Sequence, residues 1–338
     1  MTDAPPRLTF GLFIPQGWKH DLVGVDPAAH WEVMSGLVQR ADRGDVWDSV
    51  WVYDHFHTVP EPTDQATHEA WSLMAAFAAV TRRIRLGQMC TCMSYRNPAY
   101  LAKVATTVDV VSGGRLNMGI GAGWYEHEWR AYDYGFPGAG ERLARLDEGV
   151  QIMRELWRDG ISTFEGKHYS TAGAINQPKP LQEGGIPLWI AGGGERKTLL
   201  TAAKYADFTN FDGTLEGFTH KSEVLRGHCE AVGRDFASIT RTADYTVAIG
   251  RDEAEVAQRI AARRAQLAEH VSPEAVEREV GGLTPEAAGV GTPEQIVAKL
   301  RPLLDAGLGH ANFYFAEAAT DTSGIELFER EVVPALLG

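Results

Sequence analysis

The chain has 338 residues, 44% hydrophobic and 23% charged, the proportions of an ordinary soluble globular protein. Its formal charge of -13 argues against a nucleic-acid or anionic-membrane surface, which needs clustered lysine and arginine. No apolar run approaches the roughly 18 residues of a membrane span, and the start MTDAPPRLTFGLFIP lacks the basic opening and apolar core of a secretory signal, so a cytoplasmic protein is expected.

In chain order, residues 8–14 read as a first strand, ended by Pro15 and Gly17. Beyond Pro27, Trp31, Met34, Leu37 and Val38 recur at helical spacing. Residues 49–53 are β-branched and aromatic and form a second strand; a helix over 71–80 leads to a third strand at 84–90. Pro98 opens a helix that SGG at 112–114 stops. A fourth strand over 115–120 runs into the loop GIGAGWYEHEW, and a strong helix follows over 141–157. Residues 160–187, rich in glycine and proline, read as a long irregular connection.

A fifth strand at 188–191 leads through GGG to a helix over 195–205. The sixth strand lies at 207–210, with a helix over 218–232, and the seventh at 245–249, with a charged helix over 253–269. Residues 271–291 form a second loop-like insert around a short helix. Thr292 and Pro293 are N-cap and first-turn signals for a helix to Leu304. The eighth strand is 310–315, and a helix over 325–337 closes the chain. Eight strands alternating with helices, with no linker between them, predict one α/β unit over 1–338: a (β/α)8 barrel, with an open doubly wound sheet as its main rival. In either fold the chemistry belongs at the C-terminal ends of the strands.

Four strand ends carry chemistry-bearing residues. The second ends in Tyr53-Asp54-His55-Phe56-His57, where Asp54 is placed to orient His55 for proton transfer; the bland alternative is a capped turn. A metal would need more ligands, and His68 with Glu69 is the only nearby pair; no metal is expected. The third ends in Gln88-Met89-Cys90-Thr91-Cys92-Met93, whose alternation puts Met89, Thr91 and Met93 on one face and the cysteines on the other. The three cysteines of the chain are too oddly spaced for a zinc site or disulfide framework, and a polarizable wall against a flat ring explains the segment.

The fourth strand's loop fails the dinucleotide fingerprint G-x-G-x-x-G, because the last glycine position is Trp124. Gly119, Gly121 and Gly123 instead allow a close approach to the backbone, and Trp124, Tyr125, Glu126, His127 and Glu128 supply faces and hydrogen-bonding groups around a ring. The phosphate candidate is Ala191-Gly192-Gly193-Gly194-Glu195-Arg196, where free amides at a helix start would hold an anion and Arg196 or Lys197 would add charge.

The order of YDH, LGQMCT, RNPAYLAKVATTVDVVSGGRLNMGIGAGWYEHEW, WIAGGG and GTPEQIVAKL resembles the luciferase-like monooxygenase superfamily, and within it the oxidoreductases that use the deazaflavin coenzyme F420. The resemblance covers nearly the whole chain and is most specific from Asn97 to Trp129. It implies a (β/α)8 barrel with an inserted segment at 160–187, a deazaflavin ring in the barrel mouth, and a bulge after the third strand, at Met89-Cys90, that supports the ring and often contains a non-proline cis peptide. It also implies catalytic roles for Asp54 and His55 at the reactive edge, with Asp54 fixing the tautomer of His55. Asp54, Met89, Cys90, Thr91, Gly121, Trp124, Tyr125 and His127 would line the ring; Gly193, Gly194 and Arg196 would hold the cofactor phosphate.

The chain departs from the family pattern in two places. Trp124 stands where related sugar-phosphate dehydrogenases have a catalytic Glu, and their basic sugar-phosphate residues are not evident. Ala122 replaces an Arg with which bacterial luciferase contacts flavin phosphate. The expected activity is hydride transfer between deazaflavin C5 and a small organic substrate, in a pocket shaped by Trp18, Trp124 and Tyr125. An FMN-dependent monooxygenase fed by a reductase is the alternative, and a catalytically silent flavin-binding subunit a further one. The resemblance also suggests a homodimer.

Overall fold

Each short apolar run becomes a strand because its β-branched and aromatic residues fill both faces of a parallel sheet, one toward the barrel axis and one toward the helices. The structure, a computed structural model, describes residues 8–338; residues 1–7 of the expected unit lie outside the described residues. The strands are β1 (Thr9–Phe13), β2 (Ser49–Val52), β3 (Arg85–Gln88), β4 (Leu116–Gly121), β5 (Leu188–Ala191), β6 (Phe208–Asn210), β7 (Thr240–Ile249) and β8 (Leu308–Phe315). Each pairs in parallel with the next, and β8 pairs back onto β1, with Gly11 opposite Asn312. The sheet is therefore the closed (β/α)8 barrel, not the open rival.

The surrounding helices are α1 (His30–Arg43), α2 (Ala70–Val80), α3 (Pro98–Ser112), α4 (Glu126–Ala131), α5 (Ala139–Asp159), α6 (Thr198–Tyr205), α7 (Leu215–Val232), α8 (Glu253–Ala268), α9 (Pro273–Val280) and α10 (Pro293–Asp305). The predicted signals act as expected at two of them. Asn97 caps α3 by accepting from the Ala99 and Tyr100 amides, and Gly113, at φ 71°, ends it in the left-handed region. Thr292 and Gln295 form a capping box at α10.

Inside the barrel, aromatic side chains replace the usual branched aliphatics. Trp51 lies edge-on to Trp189, with ring centroids 4.6 Å apart, and Phe208 stacks on Trp189 at 4.1 Å. The indole of Trp51 fits because its neighbours on β1 and β3 are Gly11 and Gly87, where a Cβ would run into the ring. Gly119 on β4 serves the same closeness, with the Gln88 carbonyl and Trp51 against it.

Two predictions about the connections need correction. Residues 160–187 are not irregular: Ile161–Glu165 and Ser170–Ile175 form an antiparallel hairpin. Both faces of the hairpin are partly wet, so no apolar alternation marked it. It is pinned instead by Glu148 of α5, whose carboxylate accepts the amides of Lys167, His168 and Tyr169. The helix after GGG starts at Thr198, three residues later than predicted, because Glu195 is drawn across to His220 and Lys221 of α7. The 271–291 insert does contain its short helix, α9, and ends in Val290–Gly291, which pairs with β7.

Candidate active site

The mouth is built from the C-terminal ends of the strands. After β3 the chain bulges, and the peptide between Met89 and Cys90 is cis, at the predicted pair. Thr91 and Cys92 then pair with Ile120 and Gly121 of β4. Met89 packs with Phe13, Trp51, Trp189 and Tyr314, while Cys90 keeps a partly open surface. Burial first, and then the charges of Asp54 and Asp244, push the Cys90 thiol up to about 12, so it stays a neutral, polarizable wall.

Asp54 does not orient His55. Its carboxylate is buried and receives both prongs of Arg96, Nη1 to Oδ2 at 2.7 Å and Nη2 to Oδ1 at 2.9 Å, with the Cys92 amide donating to Oδ2 at 2.9 Å. Asp54 thus ties the end of β2 to the bulge of β3. Burial opposes the charge of Arg96, but Asp54 and then Glu69 hold its pKa above the ordinary value. Glu69 also caps α2, accepting the Trp71 and Ser72 amides, and His68 pairs with His30 at 3.0 Å.

The group that holds His55 is Glu128, on the short helix α4. Its Oε2 accepts Nδ1–H of His55 at 2.9 Å and the Tyr95 hydroxyl at 3.0 Å, while Oε1 accepts the Phe56 and His57 amides. Burial alone would raise this carboxyl; His55, and then the two amides, hold it below its ordinary value. A buried carboxylate on Nδ1 fixes the tautomer and leaves Nε2 as the free nitrogen. Sequence reasoning placed Glu128 in the ring loop without a role. The signal was the repeat of acidic residues at 126 and 128, one of which alone turns inward.

Aromatic rings frame His55. Trp18, from the loop after β1, stacks on the imidazole at 4.3 Å, and Trp124 and Tyr125 meet it edge-on at 5.7 and 5.8 Å. Trp124 is 61% exposed, a large indole open at the rim. Tyr125 is fixed by its hydroxyl donating to the Thr58 carbonyl at 2.8 Å. His127 is exposed and lies 5.0 Å from the ring of His57, on the outer side of the same loop.

Two predicted ring contacts, Thr91 and Gly121, are corrected. Thr91 is fully buried and donates its hydroxyl to Gln88 Oε1 at 2.8 Å, so its side chain braces the bulge from behind. The expected split of the sulfur residues by face also fails: Met93 joins the outer core while Met89 faces the barrel interior. The space at Gly121 is filled by the Cys90 sulfur and that at Gly123 by the Cys92 sulfur and the Trp129 indole, so these glycines admit the protein's own bulge.

At the phosphate candidate, Gly192 has φ 114°, and the amides of Gly193, Gly194, Glu195 and Arg196 have no acceptor among the described residues. Arg196 points into solvent. The cation beside the loop is Lys221 of α7, next to Gly193 and paired with Glu195 at 2.6 Å. Free amides with a lysine at one end, an adaptable bulge, and the unpartnered buried Trp18 Nε1 at the other form a cradle that fits a long, flat, phosphate-bearing cofactor.

A family model described as luciferase-like monooxygenase matches residues 9–310. An F420-dependent glucose-6-phosphate dehydrogenase of Rhodococcus hoagii (strain 103S) is 32% identical over 305 residues, covering 86% of this chain and 89% of that protein. Among solved structures, an F420-dependent secondary alcohol dehydrogenase in complex with an F420-acetone adduct superposes with TM-score 0.77 at 20% identity, covering 98% of this chain and 99% of the other. The coenzyme F420 dependent tetrahydromethanopterin reductase from Methanopyrus kandleri gives 0.76 at 20% identity, covering 98% and 100%. At such identities the two structures speak for the fold alone.

Proposed function

The chain belongs to the luciferase-like monooxygenase family, and we propose that within it the protein is a coenzyme F420-dependent oxidoreductase acting on a small organic substrate. The observation that carries the reading is His55, held at Nδ1 by Glu128 and walled by Trp18, Trp124 and Tyr125 at the mouth of the barrel. The F420-dependent relative, similar along 86% of the chain, supports the choice of cofactor.

When bound, the deazaflavin gives or takes a hydride at its ring carbon C5. The residues of this chain do the rest. Met89 and Cys90 back the ring, and Asp54, with Arg96, keeps that backing in place. The amides of Gly193 and Gly194, with Lys221 close by, hold the phosphate; Arg196 remains a peripheral charge. His55 Nε2 gives a proton to the substrate oxygen or nitrogen when its carbon is reduced, and takes that proton when it is oxidised. The imidazolium so formed or consumed is balanced by the Glu128 carboxylate.

We infer further that the whole chain acts as one unit, in the cytoplasm, as a homodimer. Among the described residues no helix is long and apolar enough to cross a membrane. The exposed apolar side chains Tyr100 and Val111 of α3 and Ile175 of the hairpin suit a surface covered by a second copy, which sedimentation would test. The cofactor reading is tested by titrating the cofactor-free protein with F420 and with FMN, following fluorescence. Micromolar or tighter F420 binding (about −8 kcal/mol) with much weaker FMN binding is expected. A preference for FMN would instead favour the monooxygenase alternative.

A further inference from the structure

An eight-stranded barrel places β3 and β7 on opposite walls, four strands apart in either direction. A flat ring backed by the β3 bulge would therefore turn its free face toward β7 and its neighbours β6 and β8. On that wall the period of two points Asp244 inward, and it is the most open residue of β7. Its Oδ1 accepts Nδ2 of Asn210 at 2.6 Å and Nδ2 of Asn312 at 2.9 Å, while Oδ2 has no partner among the described residues.

The direction of these bonds is set from below. Asn312 Oδ1 accepts Nε2–H of the buried His310 at 2.7 Å, which leaves His310 Nδ1 to accept the Thr9 hydroxyl at 2.7 Å. With its oxygen so committed, Asn312 can only donate to Asp244, and Asp244 is held with Oδ2 facing the mouth. The neighbouring charges are occupied. Lys19 Nζ pairs with Glu279 at 3.2 Å, Arg263 donates to the Lys19 carbonyl and lies 3.6 Å from Glu279, and Asp21 accepts the Gly17 amide and the Tyr314 hydroxyl. The mouth thus offers an incoming molecule aromatic walls and a free acceptor at Asp244 Oδ2, while the neighbouring cations Lys19 and Arg263 are already engaged among the described residues.

We propose that Asp244 is a specificity-determining residue that anchors the substrate, and that the substrate is a planar, conjugated or aromatic compound carrying an N–H or O–H donor, neutral or cationic, rather than a phosphate ester. The inference rests on the reading of the mouth as a deazaflavin site. Although Asp244 is open toward the mouth, the barrel walls enclose it on every other side, and this loss of bulk water pushes its carboxyl up to about 6, so at pH 7.5 it is largely the acceptor form that faces the ligand.

The test uses two probes with one ring and opposite charge, benzylammonium and benzoate, with glucose 6-phosphate as the phosphate ester. Each is titrated at pH 7.5 into the F420-loaded protein, followed by cofactor fluorescence, and into the cofactor-free protein, followed by tryptophan fluorescence. The native protein should bind benzylammonium about tenfold tighter than either anion, the order expected for one charge-assisted bond. Asp244→Asn turns an amide N–H toward the mouth and should reverse the order of the two ring probes, with F420 affinity unchanged. Asp244→Glu should keep the native order, which separates loss of the acceptor from damage to the fold. Equal binding of the ring probes, tighter binding of glucose 6-phosphate, or an Asp244→Asn variant with the native order would overturn the proposal. If F420 fails to bind, the oxidoreductase reading falls, and the cofactor-free titration still decides the role of Asp244.

Discussion

The indole of Trp18 lies flat on the imidazole of His55, ring centroids 4.3 Å and planes 3° apart, although one comes from the loop after β1 and the other from the end of β2. The stack fixes the plane of the imidazole, and the bond to Glu128 fixes its rotation within that plane. Together they leave His55 one free nitrogen and one direction in which to use it.

Glu128→Gln should expose that dependence. The amide offers Nδ1–H only an uncharged acceptor, so the imidazole is held less firmly and an imidazolium formed in turnover loses its counter-charge. Turnover should drop about ten- to a hundredfold, within the range ascribed to positioned acid–base groups, while F420 affinity holds. Steady-state kinetics beside cofactor titration checks both; unchanged turnover would remove Glu128 from its role. His55→Ala should likewise cut turnover with little loss of cofactor affinity.

Arg96→Leu removes the partner of a buried carboxylate. Breaking such a pair costs about 3–5 kcal/mol, and here the freed Asp54 also holds the Cys92 amide. We expect a lower melting temperature together with weaker F420 binding, although Arg96 itself is paired away from the ring. Denaturant unfolding and cofactor titration on the same variant check both. Full affinity in a destabilised protein would disconnect Asp54 from the bulge.

Much of this molecule was legible beforehand, for reasons that can be named. The eight strands are short, apolar and evenly spaced, and α3 and α10 carry their own start signals at Asn97-Pro98 and Thr292-Pro293. The site was half legible. His55 and the Met89-Cys90 bulge stand at strand ends, where a local pattern suffices. Glu128 and Arg96 were missed because their partners lie 73 and 42 residues away, and adjacency of Asp54 to His55 invited the wrong pairing. Successive residues at a strand end point in opposite directions, so neighbours in sequence are poor candidates for one hydrogen bond. Lys221 was missed for a related reason: it reaches the glycine loop from a different helix.

At the glycine loop, Lys221→Ala should weaken binding of the phosphate-bearing cofactor about three- to tenfold, an amount typical of one partly exposed charge contact at roughly 1 kcal/mol. Arg196→Ala should change it less. The two variants, titrated side by side at low and moderate salt, distinguish the loop's true cation; a larger effect at Arg196 would reverse the assignment.

Gly87→Ala puts a methyl group into the indole of Trp51. Overpacking of this kind costs about 1–3 kcal/mol, read as a lower denaturation midpoint. Trp51→Phe in the same background should recover part of the loss, and a double-mutant cycle isolates the coupling. Additive effects would show that the glycine serves something other than room for the ring.

Burial lowers the pKa of His20 and of His310 to about 4. The unfolded chain then binds protons that these histidines refuse, so each lowers stability as pH falls from about 6.5 toward 4, by roughly 3 kcal/mol over the window. His310→Gln should flatten its share of that slope. Urea unfolding of native and variant protein at pH 7 and pH 4.5 measures it, and parallel losses in the two would exclude His310 as a source.

Trp51, Trp189 and Phe208 have a last consequence, one of traffic. They pack together across the barrel interior, so the mouth is closed below and Trp124 stands open at its rim. Whatever settles against the β3 wall is overlaid by whatever arrives next. For the proposed oxidoreductase this makes ordered binding the expectation: cofactor would board before substrate, and product would leave by the way substrate came.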